Sequence, residues 1–428
     1  MMISQKFSKS LGALIAASML LTACGTPAAA PAAATAAPAA PAATEAPKAA
    51  EAAKPAAKAF EIPDVVAGKF NVAMVLLGPH DDGGWSQAHY EGLLEIEKKV
   101  PDSHVAYIEF VPEGAESEQV FRSLARKGFN LIYGTSFGFM DPMGTVAEEF
   151  PDTTFIHLTG FKSNGKNFGN LFGAMEVMKY IAGMVAGSRM KLDGQTKAGY
   201  MSTFPIPEEL RLGNAFALGM QKTCAECKLE VRWINTWHDP VVEKEAAASL
   251  FDAGAHVVFT GADTPAPGDV ATEKGKKYGI NYDWSGNCKK AGCLTTEYWN
   301  WGPVYSRVAQ EVKDKKYKVG FEYFDADSGA LGIYGLMEGQ EMTPGMKDLP
   351  AADMKAIKDT LAAALAGKFT RFDVFAGPIK DNKGKVVVAA GAKMEQADID
   401  CFALGADARC KIGMYWWNEN VTAELPKL

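Results

Sequence analysis

The chain has 428 residues, 48% of them hydrophobic and 22% charged, with a formal net charge of −7. At roughly 100–200 residues per domain that length holds two packed domains or lobes, and the apolar content excludes a chain disordered throughout. Residues 1–23 carry Lys6 and Lys9 and no acid; without them the balance is (44 − 2) − 51 = −9, which excludes phosphate-backbone binding as the main task, so no nucleic-acid partner is expected.

Residues 1–23 read as an export signal: Lys6 and Lys9 form its positive end, and the apolar run 11–21 is too short for a spanning helix, which needs roughly 20 residues. Leu21-Thr22-Ala23-Cys24 places small residues before a cysteine, as a lipobox does. The expectation is that Cys24 becomes the lipidated first residue and holds the protein at the extracytoplasmic face of the cell membrane. An ordinary cleaved signal is the plainer reading. Residues 24–60 are an Ala/Pro-rich tether, with helix-breaking prolines at 27, 31, 38, 41, 47 and 55. The folded ligand-binding domain is expected over 61–428.

From residue 70 the hydrophobic pattern alternates between strand and helix periods. Strands are expected at 70–77, 105–111, 130–133 and 153–158, with helices at 85–100, 116–127 and 141–150 between them. The apolar helix at 175–189 contains Glu176 and Lys179, so it is not a membrane span. A second series sets strands at 198–204, 229–236, 256–260, 279–283 and 294–298 among helices at 207–224, 241–253, 269–276 and 304–313. A helix at 351–368 precedes a hairpin of 372–379 and 385–390, turning at Asp381-Asn382-Lys383-Gly384. Such alternation builds parallel sheets covered on both faces, and two series of similar length give an α/β chain with two doubly wound lobes. Ligands then sit beyond the carboxyl ends of the strands.

Setting Cys24 aside leaves Cys224, Cys227, Cys288, Cys293, Cys401 and Cys410. Six cysteines allow 15 pairings, of which neighbour pairing is the economical one in an oxidising compartment. A redox Cys224-Ala-Glu-Cys227, or a zinc site shared with Cys288 and Cys293, is the alternative.

The strand-end loops at 78–87, 134–141, 205–209, 235–239, 261–263, 281–284 and 297–301 collect Trp85, Trp237, Trp284, Trp299 and Trp301 together with several carboxylates and amides. That mixture suits a flat π-ligand, with rings on its faces and carboxylates or amides at its edge. The plain alternative is that tryptophans pack the loops while Asp141 and Glu208 cap helices. Gly134-Thr135-Ser136-Phe137-Gly138 matches G-x-S-x-G after a strand, so an exported hydrolase acting through Ser136 is the rival from another class. Among later histidines, His157 precedes most acid candidates, His256 starts a strand, and His238 is followed at once by Asp239, an order that does not suit a hydrolase. No phosphate-binding G-x-x-x-x-G-K-[ST], no G-x-G-x-x-G and no H-E-x-x-H occurs, and Asp325-Ala326-Asp327-Ser328-Gly329 lacks the final glutamate of a calcium loop. No cofactor and no metal are expected.

Asp82-Gly83-Gly84-Trp85-Ser86-Gln87 with Tyr90-Glu91-Gly92 resembles the D-x-S-F-N-Q…Y-E-G signature of the basic membrane protein (BMP) family of lipoproteins, which includes purine-nucleoside receptors of ABC importers. Phe137-Gly138-Phe139-Met140-Asp141, His157-Leu158-Thr159-Gly160, Gly261-Ala262-Asp263 and Phe375-Ala376-Gly377-Pro378-Ile379 continue the resemblance in order over nearly all of 68–428. It implies a type I periplasmic-binding-protein fold, two lobes about a hinge with three crossing strands. Lobe 1 would span about 68–190 and 301–340, lobe 2 about 191–300 and 341–428.

The resemblance places Trp85 at the family's stacking phenylalanine, Ser86 at its asparagine, Phe137 at its second ring with Asp141 nearby, and Asp283 at its G-x-D-x-D carboxylate. Trp299 or Asn300 stands where the family has a lysine. The aspartate credited with gripping ribose is absent from Leu76-Leu77-Gly78. Gly84-Trp85-Ser86-Gln87-Ala88-His89 and Pro205-Ile206-Pro207-Glu208 instead resemble a subgroup that binds free purine bases. Glu208 is then expected to accept hydrogen bonds from purine N–H groups, and Phe204 and Asp263, at strand ends, complete the expected set. The implied protein is a monomeric, lipid-anchored solute receptor, not an enzyme, that serves an ABC permease. A nucleoside or sugar receptor, or one reporting to a sensor kinase, is the alternative.

Overall fold

The structure is a computed structural model that describes residues 60–401 and 408–427. The expected signal, Cys24 and the tether up to residue 59 lie outside the described residues.

The first run comprises β1 (Phe70–Val75), α1 (Trp85–Lys99), β2 (Ser103–Ile108), α2 (Ala115–Lys127), β3 (Leu131–Gly134), α3 (Met140–Glu149), β4 (Thr154–Leu158) and β5 (Phe168–Gly173). The second holds α4 (Glu176–Leu192), β6 (Lys197–Ser202), α5 (Pro207–Thr223), β7 (Lys228–Trp233), α6 (Pro240–Asp252), β8 (Val257–Thr260), α7 (Ala266–Lys274), β9 (Tyr278–Asp283) and β10 (Cys293–Trp299). Then follow α8 (Gly302–Lys313), β11 (Phe321–Phe324), β12 (Leu331–Ile333), α9 (Pro344–Lys347), α10 (Ala351–Leu365), α11 (Arg371–Val374), the hairpin β13 (Ile379–Lys380) and β14 (Val386–Val388), and α12 (Gln396–Asp400).

Two six-stranded sheets result, ordered β11-β5-β4-β3-β1-β2 and β12-β10-β9-β8-β6-β7. The first is parallel throughout; in the second only β12 runs antiparallel, against β10. Their α/β pattern is that of type I solute-binding proteins, one sheet to each lobe. The chain passes between lobes three times, after β5, after β10 and after β11. Backbone bonds tie these passages together, Ala174 N to Phe324 O and Asn300 N to Ala330 O, each 2.8 Å. The limits drawn from sequence at 190 and 340 fall late. α4 already packs on α5 and α10, and β12 is paired with β10.

α4 and α5 cross so closely that a Cβ on Gly183 would lie 2.1 Å from Phe216 O, and one on Gly219 would lie 1.9 Å from Tyr180 O. The second lobe's core stacks Phe259 between Phe216 and Tyr200, with ring centroids 3.8 and 4.1 Å away. Among the described residues no helix is long and apolar enough to cross a membrane. Disulfides join Cys224 to Cys227, Cys288 to Cys293 and Cys401 to Cys410.

Candidate functional site

The loop after β1 is fixed by Asp82, whose carboxylate accepts the N–H groups of Gly84, Ser86 and Gln87 at 2.8, 2.8 and 3.0 Å and so satisfies the first turn of α1. Across the cleft, α5 starts with Pro207 in its first turn, followed by Glu208 and Glu209, where the helix dipole favours acids. These two helix starts face each other over a narrow cavity between the lobes. The first lobe contributes Leu77, Trp85, Ser136, Phe137 and Thr159 to its wall; the second contributes Glu208, Glu209, Trp237, Gly261, Asp263, Tyr282 and Asp283. Every one of them lies at or just beyond the carboxyl end of a parallel strand, as doubly wound sheets require. Thr159 and Asp283 hold positive φ, 66° and 72°, a conformation costing a non-glycine residue about 1–3 kcal/mol and concentrated at functional sites.

Trp85 is positioned from several sides. Its Nε1 donates to Thr135 O at 2.6 Å, and its ring meets His89 edge-on at 4.1 Å. Behind it a column runs through the second passage between lobes: Trp299 stacks on Trp301 at 4.6 Å, Trp301 on His89 at 4.6 Å, and His89 Nδ1 pairs with the Tyr305 hydroxyl at 2.5 Å. Burial holds the His89 imidazole neutral.

The opposite wall is acidic. Burial pushes the Glu208 carboxyl up to about 8, against the pull of Arg211. Asp263 and Asp283 are raised well above the carboxylate range, by burial first; Asp283 and Asp82 add repulsion at Asp263, while Lys179 opposes the rise at Asp283. Glu209 Oε2 accepts from the Tyr200 hydroxyl, Ser202 Oγ and Thr203 N at 3.0, 2.9 and 2.7 Å. Beneath them Lys179, wholly buried, donates to Thr260 O at 2.9 Å and Glu297 at 3.2 Å, and lies 3.5 Å from the centre of the Tyr282 ring.

The expected ligand residues divide. Trp85, Phe137, Glu208, Asp263 and Asp283 come together in the cavity wall. Ser86 does not reach it: its Oγ accepts from Gly78 N at 3.2 Å under the loop. Asp141 sits on an exposed ledge, paired with Lys162 at 2.5 Å. Phe204 lines the adjoining vestibule, its ring 5.1 Å from Trp237. Trp299 stands behind the wall, where its Nε1 donates to Asp283 Oδ1 at 2.8 Å, and Asn300 donates to Gly329 O at 3.0 Å within the hinge. Leu77, Ser136, Thr159, Glu209, Trp237, Gly261 and Tyr282 also line the cavity and are outside the expected ligand set. The strand-end rule points to Trp237, whereas Thr159 carries no signal of its own.

The Ser136 hydroxyl donates to Glu113 at 2.6 Å, and His157 Nε2 meets the Ser136 carbonyl instead of that hydroxyl. The serine is therefore not poised on a histidine base. Asp82, His238 and Asp263 bring one possible metal-ligand atom each within 4.8 Å of one another, but both Asp82 oxygens are already taken by backbone N–H groups.

Residues 69–349 match the sequence profile of the family described as ABC transporter substrate-binding protein PnrA-like. A purine-binding protein of Brucella abortus is 30% identical over 362 residues, covering 84% of this chain and 95% of its own length. A provisionally named ABC transporter glucose-binding protein of Haloferax volcanii is 33% identical over 291 residues, 67% of this chain and 72% of its own. In fold, a solute-binding protein of an ABC transporter system from Aeropyrum pernix superposes with a TM-score of 0.60 at 16% identity, over 73% of this chain and 93% of that one.

Proposed function

The chain belongs to this PnrA-like family of ABC transporter substrate-binding proteins, extracytoplasmic solute receptors that deliver small molecules to a permease, and from that premise we propose that it captures a purine base or a related flat heterocycle between its lobes. The observation that carries the reading is one cavity walled by Trp85, Phe137, Trp237 and Tyr282 together with Glu208, Asp263 and Asp283. Aromatic faces stack on a planar ring, and carboxylates accept from its N–H edge. The Brucella relative named as purine-binding supports it.

Binding works by favouring closure: a ligand touching both walls stabilises the state in which both walls are present. Lipidation at Cys24 would keep the receptor beside its permease, and Cys24→Ala should release the protein from membranes into the soluble fraction. The Haloferax relative named as glucose-binding favours a second reading, a sugar receptor. Calorimetry of ligand-stripped protein with adenine, guanine, xanthine, adenosine and glucose separates them. A free base should bind tightest; adenosine or glucose bound much more tightly than every base overturns the proposal.

A further inference from the structure

Four carboxyls line the cavity, from Glu208, Glu209, Asp263 and Asp283, and no lysine, arginine or histidine is among its described lining residues. The cations buried nearby are already paired, Lys179 with Glu297, and Arg211 with Glu176 at 2.7 Å and Asp400 at 3.1 Å. Several donors on the wall are also occupied: the Trp85 indole by Thr135 O, the Ser136 hydroxyl by Glu113, the Thr159 hydroxyl by Leu158 O. The polar hydrogens of Trp237 and Tyr282 are uncharged. The first turn of α5, which would otherwise draw an anion, carries Glu208 and Glu209 itself. Acceptors, by contrast, are left over. Asp263 is 4% exposed, and its Oδ2 has no protein partner. A buried acceptor left unpaired is costly, so the ligand is what completes it.

We propose that the cleft selects planar heterocycles bearing a positive charge or an amidine-type N–H edge and turns away planar anions. This rests on the cavity being the ligand site. The surrounding charges point the same way. Arg211, Glu209, Glu176 and Asp400 act on Glu208; Asp283, Asp82, Glu243 and Glu209 act on Asp263; Lys179, Asp82 and Glu208 act on Asp283. Acids outnumber cations around Glu208 and Asp283, and around Asp263 the acids share the space with the His238 imidazole, a ring nitrogen of which lies within 4.8 Å of its carboxyl. An ionised carboxyl attracts a cation and repels an anion, and one that keeps its proton does neither, so the discrimination grows as Glu208 loses its proton toward pH 8. Glu208 holds its proton up to about 8, so a cation bound there displaces it. Affinity for a permanently charged cation therefore rises toward pH 8, by about tenfold per pH unit for each proton displaced.

The test is calorimetry on ligand-stripped full-length protein at pH 6 and pH 8, with adenine, the planar cation benzamidinium, and urate, a purine that is anionic in this range. At pH 8 adenine and benzamidinium should bind and urate should bind about a hundredfold more weakly than adenine. Benzamidinium affinity should increase with pH, and Glu208→Gln should flatten that increase. Urate within tenfold of adenine, or no benzamidinium binding at either pH, overturns the proposal. If benzamidinium binds and no purine does, the purine reading falls and this one stands; if adenine and urate bind equally, the reverse holds.

Discussion

Trp85 carries more of the site's geometry than any other side chain, because Thr135 O fixes its edge and His89 its face while the ring lines the cavity. Stacking of an aromatic on a base is worth about 1–3 kcal/mol, so Trp85→Ala should weaken ligand binding at least about tenfold, measured by calorimetry. Unchanged affinity would reduce Trp85 to packing. Glu208 makes a prediction about stability. Its carboxyl titrates near 4.5 when unfolded and about 8 when folded, so folding favours the protonated form. That contribution is complete below the unfolded value and is lost as pH rises through the folded one. The melting temperature of the ligand-free protein should fall between pH 5 and pH 8, less steeply in Glu208→Gln. Lys179 and Glu297 form a wholly buried pair, and removing one member of such a pair costs about 3–5 kcal/mol. Lys179→Met should show a loss of that size in denaturant unfolding, with much of it recovered in Lys179→Met/Glu297→Leu.

At the level of elements, the α4–α5 crossing depends on missing side chains. A methyl group on Gly219 would stand 1.9 Å from the Tyr180 carbonyl, so Gly219→Ala must push the helices apart. A cost of about 1–3 kcal/mol is expected, visible as a lower melting temperature, whereas alanine at an unobstructed exposed position in α10 should be neutral. The same kind of close approach explains what sequence patterning could not show. β5 reads Phe-Gly-Asn-Leu-Phe-Gly, and its glycines and asparagine disguise a fully buried strand. Those glycines are where neighbours come close: a Cβ on Gly169 would lie 3.0 Å from Gly320 O of the segment entering β11, and one on Gly173 would lie 2.4 Å from the Trp299 ring. β11 and β12, of four and three residues, are too short for a period to register. The longer elements are legible because their burial repeats, as in α2, where Val120, Phe121, Leu124 and Ala125 turn inward together. At the site, strand-end position was readable for Trp85 and Asp283. Side-chain direction was not: Trp299 ends a strand as expected, yet its indole turns back to hold Asp283.

Among the described residues the two lobes meet with the cleft closed. A Cβ on Gly84, in the first lobe, would lie 1.6 Å from Asp263 O in the second, so only glycine lets these lips meet. Two side-chain bonds latch the same edge, Asn287 Nδ2 to Gly83 O at 3.0 Å and Trp284 Nε1 to Glu91 at 2.9 Å. Each contributes about 0.5–1.5 kcal/mol to the closed state alone. Asn287→Ala with Trp284→Phe should therefore weaken ligand affinity by about tenfold or more, part of it through the Tyr282 carbonyl that Asn287 also holds at 2.7 Å. Small-angle scattering of the ligand-free double variant should show a larger radius of gyration than wild type; identical radii and affinities would remove the latch from the account. A receptor closed around a flat, N–H-bearing ring keeps its cargo through purification. Mass spectrometry of small molecules released from the denatured protein should reveal a planar nitrogen heterocycle, present in wild type and depleted in Trp85→Ala. A sugar, a nucleotide or another anion recovered in its place would rule out a flat, N–H-bearing ring as the ligand.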